Sequence, residues 1–444
     1  MSRPGKERTA TTAPGGYRSV PAEGISRRDI DQDAMRVLSR LQRNGFEAYL
    51  VGGCVRDLLL GRTPKDFDVA TAAHPRQIKR LFRNGRIIGR RFRLVHVVYG
   101  KNIIETATFR REPPAKNGDE DDLLIREDNE FGTAEEDARR RDFTINGLFL
   151  DPTAGVIHDW VGGLEDLERG VLRTIGTPRI RIAEDPVRIL RAIKFATRLG
   201  LRIEDETWNA MRELAPELRR SAPPRVLEEI LRLMRSGTAL GAFRMMRACG
   251  ALAALLPSID AFLGSRDDRD VGARDRADTF WRLLEALDAD VHAGSVPKNS
   301  VLLAVLFLRL VEQRAAEAQE RDEAPPDWGE LAAEELDPMA LAARLPRRAV
   351  EEAKRILAVQ KRFTQSSRKN FRPLLFLRSK DFPDALDLFR LRSAAWGQGW
   401  DLYEAWKERY AKAMQVPEEE LAELRAKAKT GKKRRRRRRR RRSR

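Results

Sequence analysis

Two aspartates near the start of the chain have the side-chain type and spacing that metal-dependent phosphate chemistry requires. Asp66 and Asp68 stand two residues apart in "KDFDVAT", a segment that predicts a strand. Residues two apart in a strand point the same way, so we expect both carboxylates on one face. Carboxylates held this close repel each other unless a cation lies between them. Mg²⁺ takes oxygen ligands and shares them with phosphates, so the pair predicts a two-metal site.

A pair of glycines precedes these aspartates. Gly52 and Gly53 follow "FEAYLV", which predicts a strand, and begin "CVRDLLLG", which predicts a short helix ended by Gly61. Without Cβ atoms, their N–H groups can approach a phosphate closely, and the helix start adds partial positive charge. Arg56 can reach the same phosphates. A lone glycine pair or a lone D-x-D is weak evidence, but the strand–turn–helix–strand order of both is a strong signal.

The elements around these residues predict a small α+β unit. Ala34, Val37, Leu38 and Leu41 recur at helical spacing, and Gly45 ends that helix. The segment "PRQIKRLFRN" predicts a second helix, and "RLVHVVYG" and "NIIETATFR" predict two further strands.

The remainder of the chain has a different pattern. From about Pro178 to about Tyr410 the sequence is almost wholly helical, and its most apolar run, "VLLAVLFLRLV", is too short to span a membrane and predicts a core helix. The fold class is therefore α+β, a small mixed sheet with helices followed by an all-α neck and body. We predict a disordered segment at 1–25, a catalytic head at 26–172, a neck at 173–240, a helical body at 241–412 and a disordered basic tail at 413–444.

Composition and charge indicate which kinds of partner the chain can bind. The chain has 444 residues and a net charge of +19, of which the end segment from Lys432 to Arg444 supplies 2 Lys and 10 Arg. Such a run repels itself and attracts polyanions, so Lys432, Lys433, Arg434 and Arg435 are predicted RNA contacts. The two cysteines form no disulfide framework, which fits a reducing compartment. The N-terminus lacks a secretory h-region; a transit peptide is a weaker reading than a plain disordered tail.

A family resemblance enters with these motifs. "GGCVRDLLLGRTPKDFDV" resembles the first motif of polymerase-β-type nucleotidyltransferases, in the bacterial branch that holds poly(A) polymerases and CCA-adding enzymes. "RRDFTIN" and "EDPVRILRA" resemble later motifs in the same order, and the similarity covers about Ser26 to Gly237. Cys54 is a departure, because Gly or another small residue is more familiar there.

The resemblance implies roles for named residues. It assigns ribose and nucleotide contacts to "RRDFTIN" and choice of the base to "EDPVRILRA", and it implies two Mg²⁺ ions, with Mn²⁺ as an alternative. The implied nucleotide-binding set is Gly52, Gly53, Arg56, Asp57, Arg141, Asn146, Asp185, Arg188 and Arg191.

A third acidic ligand has two candidates. Glu105 lies mid-strand in "IIETATFR", an apolar setting where an unpaired carboxylate is costly, and the resemblance supports it as the third metal ligand. Asp142, in "RRDFTIN", acts either catalytically or through the nucleotide. The predicted catalytic set is therefore Asp66, Asp68, Glu105 and Asp142, with Asp66, Asp68 and Glu105 as metal ligands. His96 is expected to be a packed, hydrogen-bonded histidine.

The choice within the family depends on two segments. "IIGRRFRLVHV" (87–97) resembles a stretch typical of bacterial poly(A) polymerases, and its Arg90, Arg91 and Arg93 are predicted RNA contacts. "KRFTQSSRKNFRPLLFLR" interleaves Phe363, Phe371 and Phe376 with basic residues, which suits sequence-blind RNA binding, although each phenylalanine taken alone is better explained as core.

The sequence therefore predicts template-independent polyadenylation of single-stranded RNA 3′ ends with AMP from ATP, in a bacterial cytoplasmic enzyme without a membrane partner. The alternative within the family is a CCA-adding tRNA nucleotidyltransferase. The alternative of another class is an RNA-binding protein on an inactive transferase head, which the intact carboxylates argue against.

Overall fold

The computed structural model describes residues 16–89, 93–111, 130–264, 271–321, 326–342, 347–364 and 373–424. The chain divides into two compact units, Met1–Leu218 and Arg219–Arg444. The α+β class predicted from the sequence is confirmed, because the first unit contains a mixed sheet and the second is helical.

The first unit is built on a sheet of eight strands within its described residues, in the order β1-β8-β7-β2-β3-β6-β5-β4. The pair β3 and β6 is parallel, and the other neighbours are antiparallel. The strands are β1 (Arg18–Pro21), β2 (Ala48–Val51), β3 (Asp68–Thr71), β4 (Gly85–Ile88), β5 (Leu94–Tyr99), β6 (Asn102–Thr108), β7 (Leu148–Asp151) and β8 (Val156–Asp159). A separate parallel pair joins β9 (Val171–Leu172) and β10 (Arg202–Ile203).

Helices pack on both faces of this sheet. Short 3-10 turns lie at Arg27–Asp29 and Thr144–Asn146. The helices are α1 (Gln32–Arg43), α2 (Gly53–Leu59), α3 (Pro75–Leu81), α4 (Ala134–Arg139), α5 (Gly163–Glu168), α6 (Pro178–Glu184), α7 (Arg188–Leu199) and α8 (Asp205–Leu214). Helices α1 and α3 pack on one face of the sheet, and α4 packs on part of the other face.

The main core lies between the sheet and α1 with α3. Leu38 and Ile78 on these helices pack with Val69, Val95 and Ile104 from the strands in one buried cluster. Because side chains alternate along a strand, the residues next to these strand positions project from the opposite face. That face carries the carboxylates of Asp68 and Glu105 and a second, smaller apolar cluster around Phe109 and Phe149. The sheet therefore has a structural face and a polar face that is available for chemistry.

The second unit is helical in every part that the structure describes. Its central helix is buried almost all round, from Val301 to Val311, so the predicted core helix is confirmed. No helix among the described residues of the chain is long and apolar enough to cross a membrane. The helices are α9 (Pro223–Met234), α10 (Ala239–Ala248), α11 (Ala251–Leu255), α12 (Pro257–Phe262), α13 (Val271–His292), α14 (Asn299–Glu320), α15 (Trp328–Ala342), α16 (Arg347–Thr364), α17 (Pro373–Leu377), α18 (Phe382–Trp396) and α19 (Trp400–Met414).

Two predictions of disorder are wrong where the structure describes the chain. Within 1–25, Arg18–Pro21 forms β1 and pairs with β8, a partner too distant in sequence for local composition to show. Within 413–444, residues 418–424 are helical, and Leu421 is only 1% exposed. Residues 1–15 and 425–444 lie outside the described residues.

The phenylalanines considered as RNA contacts belong to the core where they are described. Phe363 and Phe376 are buried and stack with Phe382, Phe389 and Trp406. Their packing removes them from any RNA surface and confirms the core explanation. Phe371 lies outside the described residues.

Candidate active site

The turn between β2 and α2 requires glycine at its first position. Gly52 has φ +73°, a left-handed conformation, and its N–H donates to the Leu148 carbonyl at 3.1 Å. A Cβ on Gly52 would lie 2.7 Å from Nη1 of Arg141. The turn therefore lets the backbone pass close to a cationic side chain, which is the environment that a phosphate needs.

Cys54 follows the two glycines and is 2% exposed. Its thiol donates to the Val51 carbonyl at 3.3 Å, and burial raises the pKa of the thiol to about 12. The residue is therefore a small, neutral packing group, and the departure from the familiar glycine is accommodated.

Arg56 is buried beside the turn rather than extended into it. Its Nε and Nη2 donate to Oδ1 of Asp57 at 2.8 and 2.6 Å, and Nη1 donates to Oδ1 of Asn146 at 2.7 Å. The guanidinium also lies 5.1 Å from the centre of the Phe195 ring. In this conformation Arg56 and Asp57 hold Asn146 in place, whereas the sequence suggested a direct reach to phosphates.

Asn146 links this group to Asp142. The Asn146 amide donates to Oδ1 of Asp142 at 3.1 Å, and Arg191 donates to Oδ2 of Asp142 through Nε at 2.8 Å, with Nη2 at 2.6 Å. Burial alone would raise the pKa of Asp142, but Arg191, Asn146 and Arg188 lower it to about 2. Asp142 is therefore an ionised carboxylate whose oxygens are occupied by protein donors.

Arg141 is held over the turn by an acidic partner that the sequence analysis missed. Its Nη2 donates to Oδ2 of Asp137 at 3.0 Å, its Nη1 donates to the Asn146 carbonyl at 3.4 Å, and its guanidinium lies 5.1 Å from the Phe149 ring centre. Asp137 lies on α4 and precedes Arg141, which follows the end of that helix, by four residues, and this i, i+4 spacing was visible in the sequence. The buried ring of Phe195 beneath Arg56 had no such local signal.

The motif "EDPVRILRA" leads into α7. The helix begins at Arg188, and the Asp185 carboxylate accepts from the Val187 N–H at 3.3 Å. Arg188 is 8% exposed and donates to the Arg181 carbonyl and to Oε2 of Glu184. Arg188 therefore points into the protein, and Arg191 pairs with Asp142.

The acidic residues near β3 lie on the polar face of the sheet. Asp68 and Glu105 are direct register partners in the parallel strands β3 and β6. Burial and the Glu105 carboxylate raise the pKa of Asp68 to about 6, Asp66 adds to this effect and Arg141 opposes it. The carboxylates of Asp66, Asp68 and Glu105 therefore repel one another, and Arg141 offsets this repulsion only in part.

Asp66 does not lie in the strand, although its spacing from Asp68 predicted that it would. The strand begins at Asp68, and Asp66 is exposed in the preceding loop. It lines an open cleft of about 380 Å³ together with Lys65, Phe67, Asp31 and Asn102. The loop position gives Asp66 more freedom than a strand residue has.

The carboxylates near β3 have the ligand chemistry of a magnesium site. Among the residues that the structure describes, no three His, Cys, Asp or Glu groups are already arranged to hold an ion. The donor set nevertheless fits Mg²⁺, because Asp66, Asp68 and Glu105 supply only carboxylate oxygens and their repulsion is relieved by a cation.

Glu105 is less buried than its apolar neighbours in the sequence suggested. Its side chain is 54% exposed, and Oε1 lies 3.5 Å from Nε2 of His96. His96, expected to be packed and hydrogen-bonded, is partly buried and lies on the polar face beside this candidate ligand.

The predicted RNA contacts are described only in part. Arg93 is exposed, and its backbone carbonyl accepts from Nη2 of Arg110 at 2.9 Å. Arg90, Arg91, Lys432, Lys433, Arg434 and Arg435 lie outside the described residues.

Three family models match the chain. They are described as the poly A polymerase head domain at residues 48–173, the probable RNA and SrmB-binding site of polymerase A at 200–263, and the polymerase A arginine-rich C-terminus at 329–442. The matches run in order along both units.

Relatives with assigned names agree with these models. Poly(A) polymerase I of Salmonella typhi is 40% identical over 385 residues, covering 84% of this chain and 81% of the relative. Poly(A) polymerase I of Haemophilus influenzae is 46% identical over 252 residues, 55% of each chain. A CCA-adding enzyme of Lactobacillus delbrueckii is 35% identical over 265 residues, 58% of this chain and 64% of the relative.

A solved structure shares the fold. The CCA-adding enzyme of Bacillus stearothermophilus in complex with CTP aligns with a TM-score of 0.62 at 24% identity, covering 86% of this chain and 82% of that one.

Proposed function

This chain belongs to the poly(A) polymerase I family, and we propose that it adds adenylate from ATP to RNA 3′ ends without a template. The observation that carries the proposal is the 40% identity to a poly(A) polymerase I over 385 residues. As a nucleotidyltransferase, it joins the RNA 3′ oxygen to the α-phosphorus of the nucleotide, and pyrophosphate leaves.

The triphosphate is assigned to the turn at Gly52 and Gly53. The Gly52 N–H is already bound to the Leu148 carbonyl, so the start of α2 at Gly53 and the guanidinium of Arg141, which lies against Gly52, are the groups assigned to the phosphates. Arg141 is pre-oriented by Asp137, so binding a phosphate does not require it to give up conformational freedom. Arg56 and Asp57 contribute through Asn146, which they hold.

The divalent ions are assigned to Asp66, Asp68 and Glu105, with Mg²⁺ as the usual ion and Mn²⁺ as a substitute. Bound there, the ions would lower the pKa of the attacking hydroxyl and neutralise charge on the triphosphate. The chain contributes the carboxylates, and the repulsion among them provides the driving force for taking up a cation.

Glu105 is preferred over Asp142 as the third carboxylate. Glu105 stands opposite Asp68 in register, whereas the Asp142 oxygens already accept from Arg191, Asn146 and the Phe143 N–H. Asp142 is therefore assigned to positioning the ribose and base, together with Asn146 and Arg191. Asp185 and Arg188 retain the base-selecting role that the family resemblance implies.

Positioning provides most of the rate enhancement in this account. Holding two reactants in line is worth roughly 7–11 kcal/mol, and no Ser-His-Asp arrangement is required. The preorganised group of Arg56, Asn146, Asp142 and Arg191 is the part of the protein that fixes the nucleotide.

CCA addition is the alternative function, since a CCA-adding enzyme is 35% identical over 265 residues. Polyadenylation is favoured because the match to poly(A) polymerase I extends further and a model of the arginine-rich C-terminus covers 329–442. We propose that the basic end from Lys432 to Arg444 supplies sequence-blind RNA affinity. An inactive head that only binds RNA is disfavoured, because it gains nothing from the repulsive carboxylates.

Extension of two labelled RNAs tests the proposal. An unstructured RNA and a tRNA lacking its CCA end are incubated with Mg²⁺ and each nucleoside triphosphate in turn, with Asp66→Asn and Asp68→Asn as inactive controls. Long products from ATP alone on both RNAs support polyadenylation. Addition limited to the tRNA from CTP and ATP indicates the alternative, and binding without extension indicates the inactive head.

A further inference from the structure

The polar face of the sheet carries a row of side chains that continues past the candidate metal ligands. Asp68 pairs in register with Glu105, Glu105 pairs with His96, and His96 pairs with Arg86. The row crosses β3, β6, β5 and β4 and ends at the free edge of the sheet. At about 4.8 Å between strands it is roughly 14 Å long.

All four side chains project from the same face. Val69, Val95, Val97 and Ile104 lie next to them along their strands and pack in the core on the opposite face. Gly85 likewise precedes Arg86 and faces the core, since a Cβ there would lie 3.1 Å from Cγ1 of Val95. The row is therefore a continuous polar strip and not a mixture of inward and outward residues.

Arg86 is the terminal and cationic member of this strip. Its side chain is exposed and forms no hydrogen bond or ion pair with any residue that the structure describes, although its backbone belongs to the β4–β5 pair. The His96 ring stands between it and Glu105, with Nε2 3.5 Å from Oε1 of Glu105. An arginine in this position is ready to take an anion from solution.

The direction of the strip follows from the chemistry at Asp68. The glycine turn leaves β2, which neighbours β3 on one side, and the strip leaves β3 on the other side. In phosphoryl transfer the attacking and leaving oxygens stand roughly in line on opposite sides of the phosphorus. A triphosphate seated at the glycine turn therefore requires the attacking RNA strand to approach from the β6, β5 and β4 side.

We propose that Arg86 binds a backbone phosphate of the RNA acceptor strand, which runs from Glu105 past His96 to the sheet edge. This inference rests on the proposed function, because it places the acceptor relative to that reaction. A strand carries a phosphate about every 3.4 Å along a helical axis, so a strip of this length passes several phosphates. Recognition through a phosphate carries no base information, as a polymerase of unstructured RNA ends requires.

Steady-state kinetics of Arg86→Ala in the full-length chain test the proposal. The matched control is Arg80→Ala, because Arg80 is also exposed but lies on α3, the helix that covers the opposite face of the sheet. Loss of a charged hydrogen bond should raise the KM for RNA about ten-fold or more, with the KM for ATP and the kcat at saturating RNA unchanged. Arg86→Lys should restore part of the affinity. Equal kinetics for Arg86→Ala and Arg80→Ala would overturn the proposal.

A neutral linkage locates the contact. Primers carrying one methylphosphonate at each of the last few linkages are extended by the wild-type chain and by Arg86→Ala. A methylphosphonate at one of these linkages should slow primer extension by the wild-type chain. The same methylphosphonate should have little further effect on extension by Arg86→Ala. Equal sensitivity of both proteins at every linkage would contradict a phosphate contact.

Different experimental results would refute the proposed function and the Arg86 contact. A wild-type chain that extends no RNA refutes the proposed function. In that case binding of a short labelled oligonucleotide by Arg86→Ala and Arg80→Ala is compared, and weaker binding by Arg86→Ala alone still supports the acceptor contact, whereas equal binding refutes it.

Discussion

Asp68 and Glu105 stand directly opposite each other in the parallel strands β3 and β6, and burial together with the Glu105 charge raises the pKa of Asp68 to about 6. Asp142, which precedes the 3-10 turn before β7, is also largely buried, but Arg191, Asn146 and Arg188 lower its pKa to about 2. Arg141 offsets the negative charge around Asp68 only in part, whereas Asp142 accepts directly from Arg191 and Asn146. This contrast supports the proposed cation-binding role of Asp68 and Glu105 and the proposed positioning role of Asp142.

Glu105→Gln should change the metal dependence of the reaction. Loss of a carboxylate ligand is expected to raise the Mg²⁺ concentration for half-maximal activity about ten-fold or more. Asp142→Asn should instead raise the KM for ATP, because Arg191 loses its charged acceptor, and leave the Mg²⁺ midpoint in place. Mg²⁺ titrations of both variants provide the measurement. The reverse pattern would assign the ligand role to Asp142.

Gly52→Ala should impair nucleotide binding beyond its effect on stability. Gly61→Ala is the matched control, because Gly61 also has a positive φ, +64°, but a Cβ there meets nothing within 4 Å. Both variants should lose about 1 kcal/mol of stability from backbone strain. Only Gly52→Ala displaces Arg141, so only it should raise the KM for ATP. Equal KM values for the two variants would show that the approach of Arg141 to the turn is unimportant.

Asp68→Asn should stabilise the metal-free protein at neutral pH. A carboxyl whose pKa is raised on folding adds stability below its ordinary pKa near 3.8, and this stability is lost as pH rises through about 6. Removal of the negative charge in Asp68→Asn should therefore raise the free energy of unfolding by on the order of 2 kcal/mol at pH 7.5 and by little at pH 4. The measurement is the free energy of unfolding of the first unit in the presence of a chelator at several pH values.

Asp142→Asn should have the opposite effect on the stability of the protein. Its lowered pKa contributes stability above the ordinary value that is lost as pH falls toward 2, so the substitution should destabilise the protein at pH 7.5. If Asp68→Asn were less stable than the wild-type chain at that pH, the claim that the carboxylates around Asp68 repel one another would be contradicted.

Replacement of residues 432–444 by a Gly/Ser segment of equal length should weaken RNA binding and flatten its salt dependence. Each lost phosphate contact reduces the log–log slope by about 0.7 for single strands. Binding isotherms at several salt concentrations give the slope. An unchanged slope would show that the basic end does not contact RNA.

Local sequence pattern was sufficient for part of this site. The glycine turn, the helix after it and a strand in "KDFDVAT" follow from residue type and spacing, although the strand begins at Asp68 and leaves Asp66 outside it. The fold class follows from the change in periodicity near Pro178. The order of the later motifs supplied the family, which the comparisons confirm.

Long-range pairing explains what the pattern missed. Arg56 binds Asn146 across 90 positions, and Arg191 binds Asp142 across 49, so no local window could show that Arg56 and Arg191 face inward. The strand β1 is short and lies in a segment rich in Gly and Pro, and only its pairing with β8 defines it. The position of His96 beside Glu105 likewise depends on the pairing of β5 with β6, which no local pattern shows.

A competition experiment tests the central claim most directly. The wild-type chain, Mg²⁺ and all four nucleoside triphosphates at equal concentration are mixed with an unstructured RNA and a tRNA lacking its CCA end, and the added nucleotides are sequenced. The account predicts runs of adenosine on both RNAs. Two cytidines and one adenosine on the tRNA alone, followed by a stop, would contradict it.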